Sequence, residues 1–475
     1  MYKKLYPYYN ILIYDVQPEF LFGGLKHIML LKKIKNLSGM QLIAVGFLLL
    51  ILCGALLLML PISSRDGTVT PFTTALFTAT SATCVTGLIL VDTYTHWSVF
   101  GQIILLCLIQ IGGLGFITMG TAVSMMLRRK IGLKQRGWIR ESFNVLDIGG
   151  VVRLIRLVLK GTLLFEGIGA IILAIRFFPR MGLWQSIYYG IFHSVSAFCN
   201  AGFDLMGCYE PYSSLTAYYD DPIVCFTVCG LILIGGIGFI VWSDIAKHKW
   251  HFRKYALQTK MVLSATALLV FGGALLFYLI EGNRLYDGMS PVGKVCSSIF
   301  SAVSPRTAGF NTTDVGGLSE GGKLLTIILM FIGGGSGSTA GGVKMATIFV
   351  LLVHLRSTLT RSMGANIFGR RIDDPTVTKA SALLCTYLFF TLTATFTICS
   401  MQDFTIGDTM FEVVSAICTV GMSVGITGDL NLASQLIIIF LMYIGRLGSL
   451  SFALSFTDHK KTAHVMQPVE RINIG

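Results

Sequence analysis

The chain has 475 residues, 53% of them hydrophobic and 13% charged, with a formal net charge of +13 and a mean hydropathy of +0.72. A soluble globular domain carries roughly twice that share of charge, about 25%. The composition therefore argues against a water-soluble enzyme, and the absence of a compact basic domain argues against nucleic-acid binding.

In chain order, residues 1–41 are mixed aromatic and basic, with no small-residue cleavage site after a short apolar run; they read as a cytoplasmic segment, not a signal peptide. Leu42–Leu60 is 19 residues without a polar side chain. A run of about 20 apolar residues matches the ~30 Å hydrocarbon core of a bilayer. Seven further runs qualify as spans: Val99–Met126, Gly161–Ile175, Ile223–Trp242, Met261–Ile280, Leu324–Val353, Ala380–Ser400 and Leu436–Phe456. Three are interrupted, by Glu166, by a Gly/Ser tract with Lys344, and by Arg446. Between paired spans lie four apolar segments too short to cross: Phe72–Thr83, Trp184–Phe198, Val292–Val303 and Ile406–Ile417. They suit re-entrant helices that enter the membrane and turn back.

Lys and Arg are unevenly placed. Of 37, 28 fall before Leu42, in 127–160, in 247–260, in 354–380 and after Phe456. This bias puts those segments and both termini in the cytoplasm of a multi-pass plasma-membrane protein. The eleven cysteines are scattered, mostly in apolar runs and without a C-x-x-C pair. They read as small buried hydrophobes in a reducing context.

Each short segment ends in a similar way: Cys84-Val85-Thr86-Gly87, Cys199-Asn200-Ala201-Gly202, Arg306-Thr307-Ala308-Gly309 and Cys418-Thr419-Val420-Gly421. The final glycines recur at intervals of 115, 107 and 112 residues. A second motif follows in register: Ile111-Gly112-Gly113-Leu114-Gly115, Ile234-Gly235-Gly236-Ile237-Gly238, Ile332-Gly333-Gly334-Gly335-Ser336-Gly337, and Ile444-Gly445-Arg446-Leu447-Gly448. Two motifs in register four times over define a repeat. The expected fold is an all-α integral membrane protein with eight transmembrane helices. Four helix–pore-helix–helix repeats surround a pseudo-four-fold central pore, as in a K+ channel. The boundaries are 1–41, a cytoplasmic segment; 42–126, repeat 1; 127–246, repeat 2 with a preceding cytoplasmic loop; 247–354, repeat 3; 355–456, repeat 4; and 457–475, a cytoplasmic tail.

The chemistry such loops suit is dehydration of a cation by backbone carbonyls. Glycine lets the backbone turn its carbonyls inward, because it accepts positive φ. Half-helices ending at the loops would aim their negative dipole ends at the cavity. The expected K+ filter is Val85, Thr86, Gly87, Asn200, Ala201, Gly202, Thr307, Ala308, Gly309, Thr419, Val420 and Gly421. Asp92, Asp204, Asp314 and Asp429 follow the loops, as ordinary loop residues or as an acidic vestibule. Arg306 is expected to be an outer clamp on the filter. The tract Gly333–Gly342, with Gly333, Gly334, Gly335, Ser336, Gly337 and Ser338, is either a closely packed small-residue helix or a break. A break would make it an intramembrane gating loop, with Lys344 snorkelling or touching it. Arg446 either holds that loop through carbonyl hydrogen bonds or pairs with Glu166, itself a helix–helix contact or a relay. The histidines show no metal-ligand spacing, and His193 reads as structural. No nucleotide-binding loop or catalytic constellation is present in the sequence.

The stretches VTGL, NAGFD, SPRTAGFNT, TVGM and FIGGGSGSTAGGVK resemble the Trk/Ktr/HKT superfamily of K+ transporters, from about Ser38 to Phe456. The resemblance implies a homodimer in a lipid bilayer. Glycine at all four filter positions implies K+ selectivity, where serine in the first loop goes with Na+. The short N-terminal segment leaves no room for two extra leading helices and points to the Ktr branch. That branch implies Na+-dependent K+ uptake and a separate cytoplasmic ring that binds adenine nucleotides. Two alternatives stand beside it: a Na+-permeable member of the same fold, and a secondary transporter binding a solute at midplane. The second would be expected to show inverted repeats, whereas these four run in one direction.

Overall fold

The computed structural model describes residues 39–127, 132, 136–138, 150–362 and 364–448. It is helical apart from a two-stranded antiparallel hairpin, β1 (Asn366–Ile367) and β2 (Arg370–Arg371). The expected segments 1–41 and 457–475, and much of the 127–160 loop, lie outside the described residues.

Four groups of elements follow one another. α1 (Gly39–Leu58), α2 (Phe72–Cys84), α3 (Val99–Leu114) and α4 (Phe116–Met126) form the first. α5 (Val151–Met181), α6 (Leu183–Cys199), α7 (Pro222–Gly236) and α8 (Phe239–His248) form the second. α9 (Leu257–Glu281), α10 (Pro291–Val303), α11 (Glu320–Phe331) and α12 (Met345–Leu359) form the third, and α13 (Asp374–Met401), α14 (Ile406–Ile417) and α15 (Leu432–Leu447) the fourth.

The first helix of each group, α1, α5, α9 and α13, is long and apolar enough to cross a membrane. These four helices keep large apolar side chains on the outside: Leu163, Phe271 and Phe396 are 73%, 74% and 76% exposed. Such exposure suits contact with lipid or with a partner subunit, not with water. The short helices α2, α6, α10 and α14 sit inside, with Phe77, Phe192, Phe300 and Phe411 fully buried. Here the sequence expectation and the structure agree to within a residue or two.

Every post-loop helix begins with a side-chain cap. Ser98, Asp221, Ser319 and Asn431 each accept a hydrogen bond from a backbone N–H of the first turn of α3, α7, α11 and α15. These groups would otherwise be orphaned.

Three expected spans are corrected. Val99–Met126 and Ile223–Trp242 are not straight: α3 and α4 meet at 97°, and α7 and α8 at 93°. The breaks fall at Gly115 (φ 87°) and Gly238 (φ 101°), the last glycine of the repeated motif. Left-handed backbone at that site ends a helix. Counting each bent pair once gives at most six elements long and apolar enough to cross a membrane among the described residues. The expected span 324–353 is instead α11, a coil and α12. The expected span 436–456 is described only as far as Gly448, just past the end of α15.

Candidate functional site

The four loops after α2, α6, α10 and α14 share one backbone pattern. Val85, Asn200, Thr307 and Thr419 have φ of 58°, 60°, 71° and 52°, and two residues later Gly87, Gly202, Gly309 and Gly421 have φ of 96°, 72°, 81° and 90°. A β-branched residue at positive φ is a genuine outlier, and backbone strain of this kind clusters at functional sites. In each loop the middle residue donates its N–H back to the half-helix: Thr86 to Ser81 (2.8 Å), Ala201 to Ser196 (2.8 Å), Ala308 to Ser304 (2.9 Å) and Val420 to Ser415 (2.8 Å). The hydroxyls of Ser81 and Ser415 also accept from Gly87 and Gly421 N–H, at 3.0 and 3.1 Å.

The loops meet in a closed ring. A β-carbon on Gly87 would lie 2.6 Å from the Ala201 carbonyl oxygen; on Gly202, 2.8 Å from that of Ala308; and on Gly309, 2.6 Å from that of Val420. A β-carbon on Gly421 would run into the Thr86 carbonyl oxygen, closing the circle. The order around the axis is therefore first, second, third, fourth. Of the twelve residues expected as a filter, Thr86, Gly87, Ala201, Gly202, Ala308, Gly309, Val420 and Gly421 meet in this ring. The Asn200 and Thr307 side chains meet at 3.2 Å, joining the second and third loops.

The second motif packs directly behind. Gly112, Gly235 and Gly445 abut the carbonyls of Thr83, Phe198 and Ile417, the last turns of three half-helices, so closely that no β-carbon fits. Gly333, their counterpart in the third group, instead faces its own loop at Gly341 and Val343.

That loop, 332–344, runs between α11 and α12 and touches the other groups. Gly335 N–H donates to Gly236 O (2.7 Å), and Phe239 N–H donates to Gly337 O (2.8 Å). Thr339 Oγ1 donates to Phe198 O at 3.2 Å. Gly341 and Gly342 lie against Thr419 and Cys418. Ser338 Oγ closes a local turn on Gly335 O at 2.7 Å, and Gly334 and Ser336 abut Gly236 and Gly238. The tract is a break, not a closely packed helix. Lys344 does not snorkel: its Nζ donates to Ala340 O (2.6 Å) and Gly341 O (3.3 Å).

Arg446 is the clasp. Its guanidinium donates to the carbonyl of Thr339 and to those of Gly112 (2.5 Å) and Gly113 (3.0 Å). The alternative pairing with Glu166 is not formed. Glu166 accepts from Gln110 Nε2 (3.3 Å) and, more weakly, from Cys199 Sγ (3.9 Å), which makes it a contact between α5, α3 and α6.

One expectation is corrected. Arg306 does not clamp the outer mouth: its Nη2 donates to Thr266 Oγ1 in α9 (3.3 Å), and that hydroxyl contacts Met345 at the start of α12. Three of the four aspartates are turn and cap residues. Asp92 accepts from Tyr94, Thr95 and Tyr212 N–H, Asp204 from Met206 N–H, and Asp314 from Gly316 N–H. The carboxylates satisfy backbone donors that a loop leaves open.

Residues 32–465 match the family model described as TrkH, cation transport protein. The chain is 41% identical over 451 residues to the potassium/sodium uptake protein NtpJ of Enterococcus hirae, covering 93% of this chain and 98% of that protein. It is 41% identical over 424 residues to the Ktr system potassium uptake protein B of Bacillus subtilis, covering 89% and 94%. Its fold matches the crystal structure of the potassium transporter TrkH from Vibrio parahaemolyticus, with a TM-score of 0.67 at 18% identity over 87% of this chain and 85% of that one. Both in its sequence and in its helical fold, this chain belongs to the TrkH family of cation transport proteins.

Proposed function

We propose that this chain is the K+-translocating subunit of a Ktr-type, Na+-dependent uptake system in the plasma membrane, with both termini cytoplasmic. The observation that carries it is the closed ring of loops, in which each glycine faces a carbonyl of the next. Main-chain oxygens so presented replace the hydration shell of a cation at little reorganisation cost. Paired positive-φ residues in each loop support the same reading, since alternating backbone handedness turns successive carbonyls to one side. The half-helices end at the ring and add their negative ends to it.

Beneath the ring the loop carrying Gly333, Gly334, Gly335, Ser336, Gly337 and Ser338 is the gate, pinned by Arg446 and Lys344. Regulation comes from a separate cytoplasmic nucleotide-binding ring, and the working unit is a homodimer; the names of the Ktr relatives support a multi-component system. The Na+-permeable alternative draws support from the relative named for both potassium and sodium.

The test is the reversal potential and tracer uptake of reconstituted protein in K+ and Na+ gradients. Gly87→Ser puts a side chain 2.6 Å from the Ala201 carbonyl oxygen. It should lower the K+/Na+ permeability ratio about tenfold, the equivalent of about 1.4 kcal/mol. Equal permeation of Na+ and K+ by the native chain would favour the alternative. An unchanged ratio in Gly87→Ser would remove the filter assignment.

A further inference from the structure

One position in the half-helices distinguishes the four groups. Nine residues before each filter glycine stand Thr78, His193, Phe300 and Glu412, all buried. In the first group the Thr78 hydroxyl bonds within its own helix, to Thr74 O at 2.9 Å. In the third, Phe300 has no polar atom. It lines a small cavity behind the loop with Ser304, Phe310 and Thr312, whose buried hydroxyl has no partner.

In the second and fourth groups the same position reaches the chain just beyond the filter. His193 Nδ1 is 2.8 Å from the Tyr189 carbonyl, so it carries the proton, and Nε2 accepts from Leu205 N–H at 3.3 Å. Leu205 is the third residue after Gly202. Glu412 accepts from the Ser423 hydroxyl and from Thr427 Oγ1, at 3.0 Å for the latter. Ser423 is the second residue after Gly421, and its oxygen in turn accepts from Gly425 N–H at 2.9 Å. The ring order places the second and fourth loops opposite one another.

We infer that His193 and Glu412 are positioning residues for selectivity, bracing the filter along one diagonal while this register leaves the first and third loops untied. At this register the support of the ring is two-fold, over and above the Ser81 and Ser415 hydroxyls that hold Gly87 and Gly421 and the Ser304 hydroxyl that donates to Phe310 O. Hydrogen bonds to buried groups resist displacement far more than apolar packing does, because breaking them leaves a desolvated donor or acceptor. The spacing of the carbonyl ring, and so its preference for K+ over the smaller Na+, follows the braced diagonal. This rests on the filter assignment above.

The experiment measures the K+/Na+ permeability ratio, total K+ flux and yield of folded protein in reconstituted vesicles. Glu412→Ala and His193→Ala should each lower the ratio about tenfold, as expected for loss of a buried hydrogen bond. Glu412→Gln, which keeps an acceptor oxygen, should stay within about threefold of the native ratio. Thr78→Val should leave it unchanged. Ser423→Ala and Thr427→Val, which remove the partners from outside the half-helix, should reproduce the Glu412→Ala loss even if that variant does not fold. Retention of the native ratio in those partner variants, or an equal loss in Thr78→Val, would overturn the brace. If Gly87→Ser shifts the ratio while the brace variants do not, the filter reading stands and this inference falls; if Gly87→Ser also has no effect, the failure lies in the filter reading itself.

Discussion

Arg446 satisfies three main-chain oxygens from two other groups, and none of these contacts is an ion pair. Arginine suits such a site: its planar fork offers several donors and stays charged when buried. Arg446→Gln should therefore free the loop. K+ flux measured without any regulatory partner should rise about tenfold, within the reach of a lost charge-assisted bond of roughly 1.5–3 kcal/mol. No rise in tracer uptake would mean the clasp does not hold a gate. The role of Arg446 was legible in the sequence as a choice between two partners, because a charge among apolar residues must find one. Only the folded geometry excluded Glu166, since α5 turns that carboxyl toward Gln110. The four loop glycines were legible from their shared offset. The positive φ at Val85, Thr307 and Thr419 was not, because no local rule expects a β-branched residue there. It is imposed by the bonds that tie each loop to its half-helix.

At the scale of elements, the half-helices could be read from length alone: 12–17 apolar residues cannot cross a bilayer. The bends at Gly115 and Gly238 could not. A glycine inside a helix costs about 1 kcal/mol relative to alanine, and close packing against a neighbour offsets that as readily as a bend does. The capping residues Ser98, Asp221, Ser319 and Asn431 were an unused signal, recurring just before four apolar runs. The loop of the third group enlarges a break that the first two groups also carry. Deleting Gly335–Ala340 removes its contacts with Gly236, Phe198 and Arg446. The variant should fold and conduct K+ at a raised rate that no longer responds to regulation. Unchanged flux in vesicles would show that the loop is not a barrier.

For the whole molecule, the four groups form a ring whose outer wall is apolar and whose inner wall is polar main chain. The basic segments mark one side. Among the described residues, Lys247, Lys249, Arg253 and Lys254 cluster at the end of α8 and just after it, while Asp66 lies in the turn between α1 and α2. A cysteine placed at Asp66 should react with a membrane-impermeant thiol reagent in intact cells, and one at Lys249 only after permeabilisation. The opposite pattern would invert the orientation inferred from lysine and arginine. That inference needed no structure, because charge placement is fixed by insertion, not by packing.

Arg446 grips carbonyl oxygens of two other groups. Those oxygens are ligands of the same kind that a desolvated alkali cation seeks. In the gate proposed above, a tethered side chain is the resident cation of the closed state and quenches a field that would otherwise be empty. Its departure leaves three buried acceptors unpaid unless water or an arriving ion takes its place. The proposed gate therefore predicts that opening and filling are coupled steps, with the concentration of permeant ion biasing the gate.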